Sequence, residues 1–137
     1  MNTAFPITIY HNPKCGTSRN TLGMIRAAGY EPTVVEYVQT GWNVAQLKEL
    51  SKATGMTAHE MMRTKDALVQ ELGLMAEGIA DEVIWEAMVV HPVLVNRPIV
   101  VTPKGTKLCR PSEVVFSLLE RIPAAFVKED GEVVKVG

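Results

Sequence analysis

The opening of the chain constrains its fold most. A short apolar, β-prone run, Ile7 to Tyr10, leads into the turn-rich loop His11-Asn12-Pro13-Lys14-Cys15-Gly16; a helical stretch follows, then a β-branched and aromatic run, Thr33 to Val38. Two strands joined through one helix over so short a distance pair in parallel, with a right-handed crossover. Pro13 and Gly16 punctuate the loop. Thr17 and Ser18 are N-cap candidates for the helix, Leu22, Ile25 and Ala28 share its inner face, and Gly29 stands where a C′ glycine closes it.

The middle third reads as helical. Asn43 is placed to cap a segment carrying Leu47 and Leu50 that stops before Gly55. Thr57-Ala58-His59-Glu60 has the spacing of a capping box, so a short helix is expected with Arg63 near its end. Asp66 to Leu72 forms another short stretch closed by Gly73. From Asp81 a longer helix presents Ile84, Trp85 and Met88 until His91-Pro92 breaks it. Strand character returns at Pro98 to Thr102, with Pro103-Lys104-Gly105 as a turn and Thr106 to Cys109 as the partner strand. Pro111 reads as the N1 proline of a last helix, with Val114, Val115, Leu118 and Leu119 on one face. Asp130-Gly131 marks a turn in the tail, a loose hairpin or a mobile end.

The order is βαβ, a helical insert, then ββα. It predicts an α/β protein of thioredoxin-like fold, a single domain by length, with an insert over about 43–91 and a tail over about 124–137. With 137 residues, 47% apolar and 21% charged, the composition is that of an ordinary globular chain. A formal charge of -1 argues against a nucleic-acid binder that neutralises many phosphates. No apolar run reaches the roughly 18 residues of a membrane span, and the first residues lack a signal-peptide pattern. The expected compartment is therefore the reducing cytoplasm, where a disulfide staple is disfavoured. The two cysteines, Cys15 and Cys109, then read as a reactive thiol or as small buried side chains.

Cys15 follows a strand and immediately precedes a helix amino terminus, where unpaired N–H groups and the positive end of the helix dipole favour an anion. A free thiol with a pKa of about 8.5 is only about 3% thiolate at pH 7, and such a setting lowers that pKa. Ser18 is placed to add a hydroxyl hydrogen bond to the sulfur, and His11 and Arg19 are nearby charges. The plainer reading of Cys15 is a cysteine that only packs, but inert buried cysteines favour strands and helix interiors. Cys109 has that setting and reads as structural.

Familiar motifs are excluded residue by residue. Ser18 occupies the second position of a Cys-x-x-Cys, so no intramolecular dithiol is available in the loop. Thr21 holds the arginine position of a Cys-x5-Arg phosphatase loop. His59-Glu60-Met61-Met62-Arg63 starts like a zincin helix but carries Arg63 in place of the second histidine, and no metal site is expected. His59 and His91 read as surface or helix-end residues, and Met56, Met61, Met62 and Met88 as core filler.

Arg63, Arg97 and Arg110 sit at element edges. Singly, each reads as a solvated charge. In a thioredoxin-like topology the loop before the third strand faces the first helix, which brings Arg97 toward Cys15, with Arg110 joining from the end of the next strand. A thiolate and an oxyanion repel each other, so their reaction needs cations, and the arginine fork stays charged and grips oxyanions in a plane.

Three segments carry a resemblance: Ile9-Tyr10-His11-Asn12-Pro13-Lys14-Cys15-Gly16-Thr17-Ser18-Arg19-Asn20-Thr21-Leu22, Asn96-Arg97-Pro98-Ile99-Val100-Val101-Thr102-Pro103, and Leu108-Cys109-Arg110-Pro111-Ser112-Glu113. With them the chain resembles the glutathione/glutaredoxin-coupled arsenate reductases from about Ile7 to Gly131. The resemblance implies an oxidoreductase of arsenic detoxification that forms a covalent arsenate adduct on Cys15. Glutathione, as co-substrate, would attack that adduct, and glutaredoxin would resolve the mixed disulfide as arsenite leaves. It implies no bound cofactor, oxyanion binding by Arg63, Arg97 and Arg110, and tuning of Cys15 by His11. It also implies a cis peptide before Pro98. The flanks of Arg63 match less closely than those of the other two arginines. The alternative is an arsenate-inactive thioredoxin-like relative acting as a redox or transcriptional regulator. Redox-sensing members of that group carry the Cys-x-x-Cys that Ser18 denies here.

Overall fold

The computed structural model describes residues 5–135. The amino-terminal residues 1–4, on which the reading of a missing signal peptide partly rests, and tail residues 136–137 lie outside the described residues. The described residues divide into two compact units, one formed by residues 5–36 with 97–135 and one by Tyr37–Asn96.

The first unit is built on a sheet that, among the described residues, has four strands in the order β2-β1-β3-β4. Strand β1 (Thr8–His11) pairs in parallel with β2 (Thr33–Glu36), Thr8 facing Thr33 and His11 facing Glu36. On its other side β1 meets β3 (Ile99–Thr102) antiparallel, and β3 continues antiparallel into β4 (Gly105–Leu108). Helix α1 (Gly16–Ala27) makes the crossover. This is the thioredoxin-like order that the element sequence implied.

Alternation along β1 buries Ile9 and His11, while Thr8 and Tyr10 are half-buried. Ile9 and Val100, on the two central strands, pack with Met24 and Ile25 of α1 and with Val115 and Leu118. Burying each such side chain is worth about 1.5–3 kcal/mol. This core fixes α1 against β1 and so fixes the loop between them. The helix closes as expected: Gly29 has φ +96°, its N–H donates to the Arg26 carbonyl at 3.0 Å, and the Tyr30 N–H donates to the Ile25 carbonyl at 3.2 Å.

Several local expectations are corrected. Neither Thr17 nor Ser18 caps α1: both lie in its first turn, and Cys15 itself is the N-cap residue, at φ -100° and ψ 122°. The partner strand starts at Gly105, opposite Thr102, leaving Pro103-Lys104 as the turn. The last helix is a 3₁₀ segment, Ser112–Leu118, with Pro111 as N-cap rather than N1. The tail, left open between two readings, forms a hairpin of β5 (Ala125–Val127) and β6 (Val133–Lys135).

The second unit is helical: α2 (Tyr37–Thr40), α3 (Val44–Thr54), α4 (Ala58–Met61), α5 (Ala67–Glu71) and α6 (Asp81–Val90). Asn43 caps α3 through Gln46 N–H, and the Thr57/Glu60 capping box of α4 is formed in both directions. Ile84, Trp85 and Met88 of α6 are buried, as are Met61 and Met62, whereas Met56 is only partly so. The second β-like run ends two residues early, because Tyr37 and Val38 open α2. Arg63 lies beyond α4, not at its end: Met62 is already extended and bridges Val95.

Candidate active site

Cys15 stands at the junction of loop and helix. Its N–H donates to the Asn12 carbonyl at 3.0 Å, and the Arg19 N–H donates to the Cys15 carbonyl at 3.0 Å. The side chain of Asn12 folds back to accept from the Lys14 N–H at 3.0 Å, an Asx turn that tightens the loop. Asn12 is buried and was missed in the sequence; an Asn-Pro pair before the cysteine was the available signal.

Cys15 is nearly buried, at 8% exposure. Burial pushes its pKa up, but the Ser18 backbone N–H, the Arg97 charge, and side-chain hydrogen bonds from Arg97 and Arg110 together outweigh it, and the thiol titrates below its ordinary value. The Arg110 Nη1 lies 3.7 Å from the sulfur and donates to the Arg97 carbonyl at 3.0 Å. That second bond fixes the guanidinium on the rim of the site. Two cations and a helix N-terminus thus converge on one sulfur, an arrangement that stabilises a thiolate and offers donors to an incoming anion.

The peptide bonds before Pro98 and Pro111 are both cis. The resemblance implied the first, and nothing in the sequence reading pointed to the second. Each immediately follows an arginine of the site.

Ser18 acts differently from the expectation. Its hydroxyl lies 2.6 Å from His11 Nδ1 and accepts from the Asn12 N–H at 3.1 Å, while it is the Ser18 backbone N–H that reaches the sulfur. Burial lowers the pKa of His11; Glu36, its neighbour across the parallel register, opposes that, and Arg26 and Arg19 add to it. His11 is therefore chiefly neutral near pH 7, not a cation beside Cys15. It holds Ser18, and Ser18 holds the loop. Arg19 is likewise engaged elsewhere, with Glu129 and the Pro13 carbonyl.

Cys109 is the opposite case. It is fully buried just past β4, its N–H donates to the Pro98 carbonyl at 2.9 Å, and burial pushes its thiol up to about 12. It is a packing side chain. Arg63 belongs to the second unit, where its N–H donates to the Leu94 carbonyl at 2.7 Å and its guanidinium lies 3.7 Å from Asp66. Cys15, His11, Ser18, Arg97 and Arg110 are brought together within the first unit. Among the described residues no cluster of His, Cys, Asp and Glu is arranged to hold a metal ion. No described helix is long and apolar enough to cross a membrane.

Known proteins resemble the chain along nearly its whole length. An arsenate reductase, ArsI2, of Synechocystis sp. is 54% identical over 129 residues, covering 93% of this chain and 92% of that protein. An arsenate reductase of Escherichia coli is 52% identical over 127 residues, covering 92% and 90%. Among solved structures, an arsenate reductase from Vibrio cholerae superposes with a TM-score of 0.81 at 39% identity, covering 84% of this chain and 98% of that one. The family model of the ArsC family matches residues 10–117, a span that begins just before His11 and ends beyond Arg110. The chain belongs to the ArsC family.

Proposed function

We propose that the protein is an arsenate reductase that uses glutathione and glutaredoxin, with Cys15 as nucleophile. The observation that carries the reading is the seat of Cys15 at the N-cap of α1, with Arg110 Nη1 3.7 Å from its sulfur and the Arg97 cation acting on the same thiol. The relatives named above, whose described activity is arsenate reduction, support the choice of substrate.

Arsenate enters with its oxygens toward Arg97 and Arg110, which offset its repulsion from the thiolate. The Cys15 sulfur attacks arsenic, an oxygen leaves as water after taking up protons, and a sulfur–arsenic(V) bond results. A glutathione thiol then attacks the adduct. Two electrons pass to arsenic, one from each sulfur, arsenite departs, and the two sulfurs remain as a Cys15–glutathione disulfide. A glutaredoxin thiol takes the glutathione and returns Cys15 as a thiolate. An external thiol is needed because Ser18 occupies the position of a second loop cysteine and Cys109 is buried. Arg63 enters this reading on the family resemblance alone. His11 acts through Ser18, as a positioning residue.

Mass analysis tests the sequence of steps. Incubated with arsenate and glutathione but no glutaredoxin, the protein should accumulate glutathione on the Cys15 peptide, and added glutaredoxin should remove it. Arsenite formation with no glutathionylated Cys15 at any time would contradict the route.

A further inference from the structure

Contacts not used by this chemistry converge on the Cys15 loop from the far end of the sequence. Glu129 lies on the turn between β5 and β6. Both of its carboxylate oxygens accept from Arg19 Nε, at 3.1 and 2.9 Å, while Arg19 Nη1 donates to the Pro13 carbonyl at 2.8 Å. The Glu129 N–H donates to the Asn20 side-chain carbonyl at 3.0 Å. Residue 129 is thus held by two consecutive residues of α1, and one of these holds the loop two residues before Cys15.

The turn is built to keep Glu129 there. The Lys128 N–H donates to the Glu132 carbonyl at 2.8 Å, the Gly131 N–H returns to the Lys128 carbonyl at 2.9 Å, and Gly131 supplies φ +92°. Lys128 Nζ bonds Glu113 at 2.8 Å, close after Arg110, so the same turn grips the chain on the other flank of the site. Phe126 lies over α1 at Gly23, where a Cβ would come within 3.1 Å of the ring. Gly16, next to Cys15, lies under the pair: a Cβ there would sit 3.7 Å from Arg19 Nη2 and 4.0 Å from Glu129 Oε1.

We propose that Glu129 is a positioning residue of the active site, holding the Pro13–Cys15 segment in place through Arg19. An exposed ion pair of this kind adds little to fold stability. Its effect is geometric: the sulfur depends on the Ser18 N–H and on two guanidiniums, and small displacements of a reacting group are costly. The inference rests on Cys15 being the reacting thiol. Its test reads that thiol directly, without arsenate.

Alkylation of Cys15 by iodoacetamide is followed across pH in a Cys109→Ser background. The charged groups around the sulfur are Arg97, Arg110 and, through the loop, Arg19 with Glu129; His11 lies behind Ser18. Acting only through space, loss of the Glu129 anion would lower the midpoint and loss of the Arg19 cation would raise it. As a strut, Glu129→Gln and Arg19→Ala should both raise it and slow alkylation at neutral pH by about two- to fivefold. The double variant should be no slower than the slower single one. Glu31→Gln, which breaks the exposed Arg26–Glu31 pair at the other end of α1, should leave the profile unchanged. A midpoint lowered or unmoved by Glu129→Gln overturns the inference while leaving the functional reading intact. An ordinary free-thiol midpoint in the unsubstituted site removes the functional reading and this inference with it.

Discussion

Arg97 is half-buried and Arg110 exposed, so the two cations at the Cys15 sulfur are screened unequally. Changing either to Ala should cost roughly 10- to 150-fold in arsenate reduction, the equivalent of one charge-assisted hydrogen bond of about 1.5–3 kcal/mol. Arg97→Ala should be the worse of the two. Lysine at either position keeps the charge but not the planar fork, so intermediate rates are expected. Steady-state kinetics of the Ala and Lys variants, with Arg63→Ala alongside, check this, and wild-type rates in both Arg97→Ala and Arg110→Ala would remove the anion site. Cys109 yields a prediction of different kind. Its folded-state pKa is raised to about 12, so the stability tied to its protonated form is complete below the unfolded thiol value of about 8.5 and is lost as pH climbs toward about 12. Within that window Cys109→Ala should lose stability less steeply than the parent, by up to roughly 1.4 kcal/mol per pH unit. Denaturant unfolding at a series of alkaline pH values measures it, and parallel slopes would contradict the buried-thiol assignment.

The elements that were legible carry their own stop and start signals. Asn43, Thr57 with Glu60, and Gly29 each sit where a specific hydrogen bond or a positive φ demands that residue type, and the structure forms the bonds. Asn43→Ala should therefore destabilise the protein by about 1 kcal/mol, since the Gln46 N–H loses its acceptor at 2.8 Å. Thermal or denaturant unfolding reads this, and an unchanged midpoint would mean that the cap is dispensable. The misread elements are those decided by distant contacts. Tyr37 and Val38 look like strand residues, yet Tyr37 is buried, its ring 5.0 Å from Trp42 and its hydroxyl donating to the Val95 carbonyl at 3.2 Å. The packing outweighs the propensity. In the last helical segment Ser112, Val115 and Leu118 are buried at a spacing of three, which aligns on a 3₁₀ turn. Over seven residues that pattern is hard to tell from an α-helical face.

At the scale of the molecule, the approach of Arg97 and Arg110 to Cys15 was readable because topology alone brings the loop before β3 and the end of β4 to the start of α1. The hold of Glu129 on Arg19 was not, since 110 residues separate them and an isolated Glu in a turn carries no signal of its partner. The bond between the Ser18 hydroxyl and His11 is equally illegible, because nothing in the sequence shows that the imidazole, seven residues away, packs within 2.6 Å of it. The central claim is that one activated thiol, Cys15, reduces arsenate with electrons from an external thiol. The most direct measurement is arsenite formation by the purified protein with arsenate, glutathione, glutaredoxin and an NADPH-driven reductase, compared among the parent, Cys15→Ser and Cys109→Ser. The account predicts turnover in the parent and in Cys109→Ser, and none in Cys15→Ser. Turnover that survives Cys15→Ser, or that runs equally on thioredoxin alone and is lost in a well-folded Cys109→Ser, would contradict it.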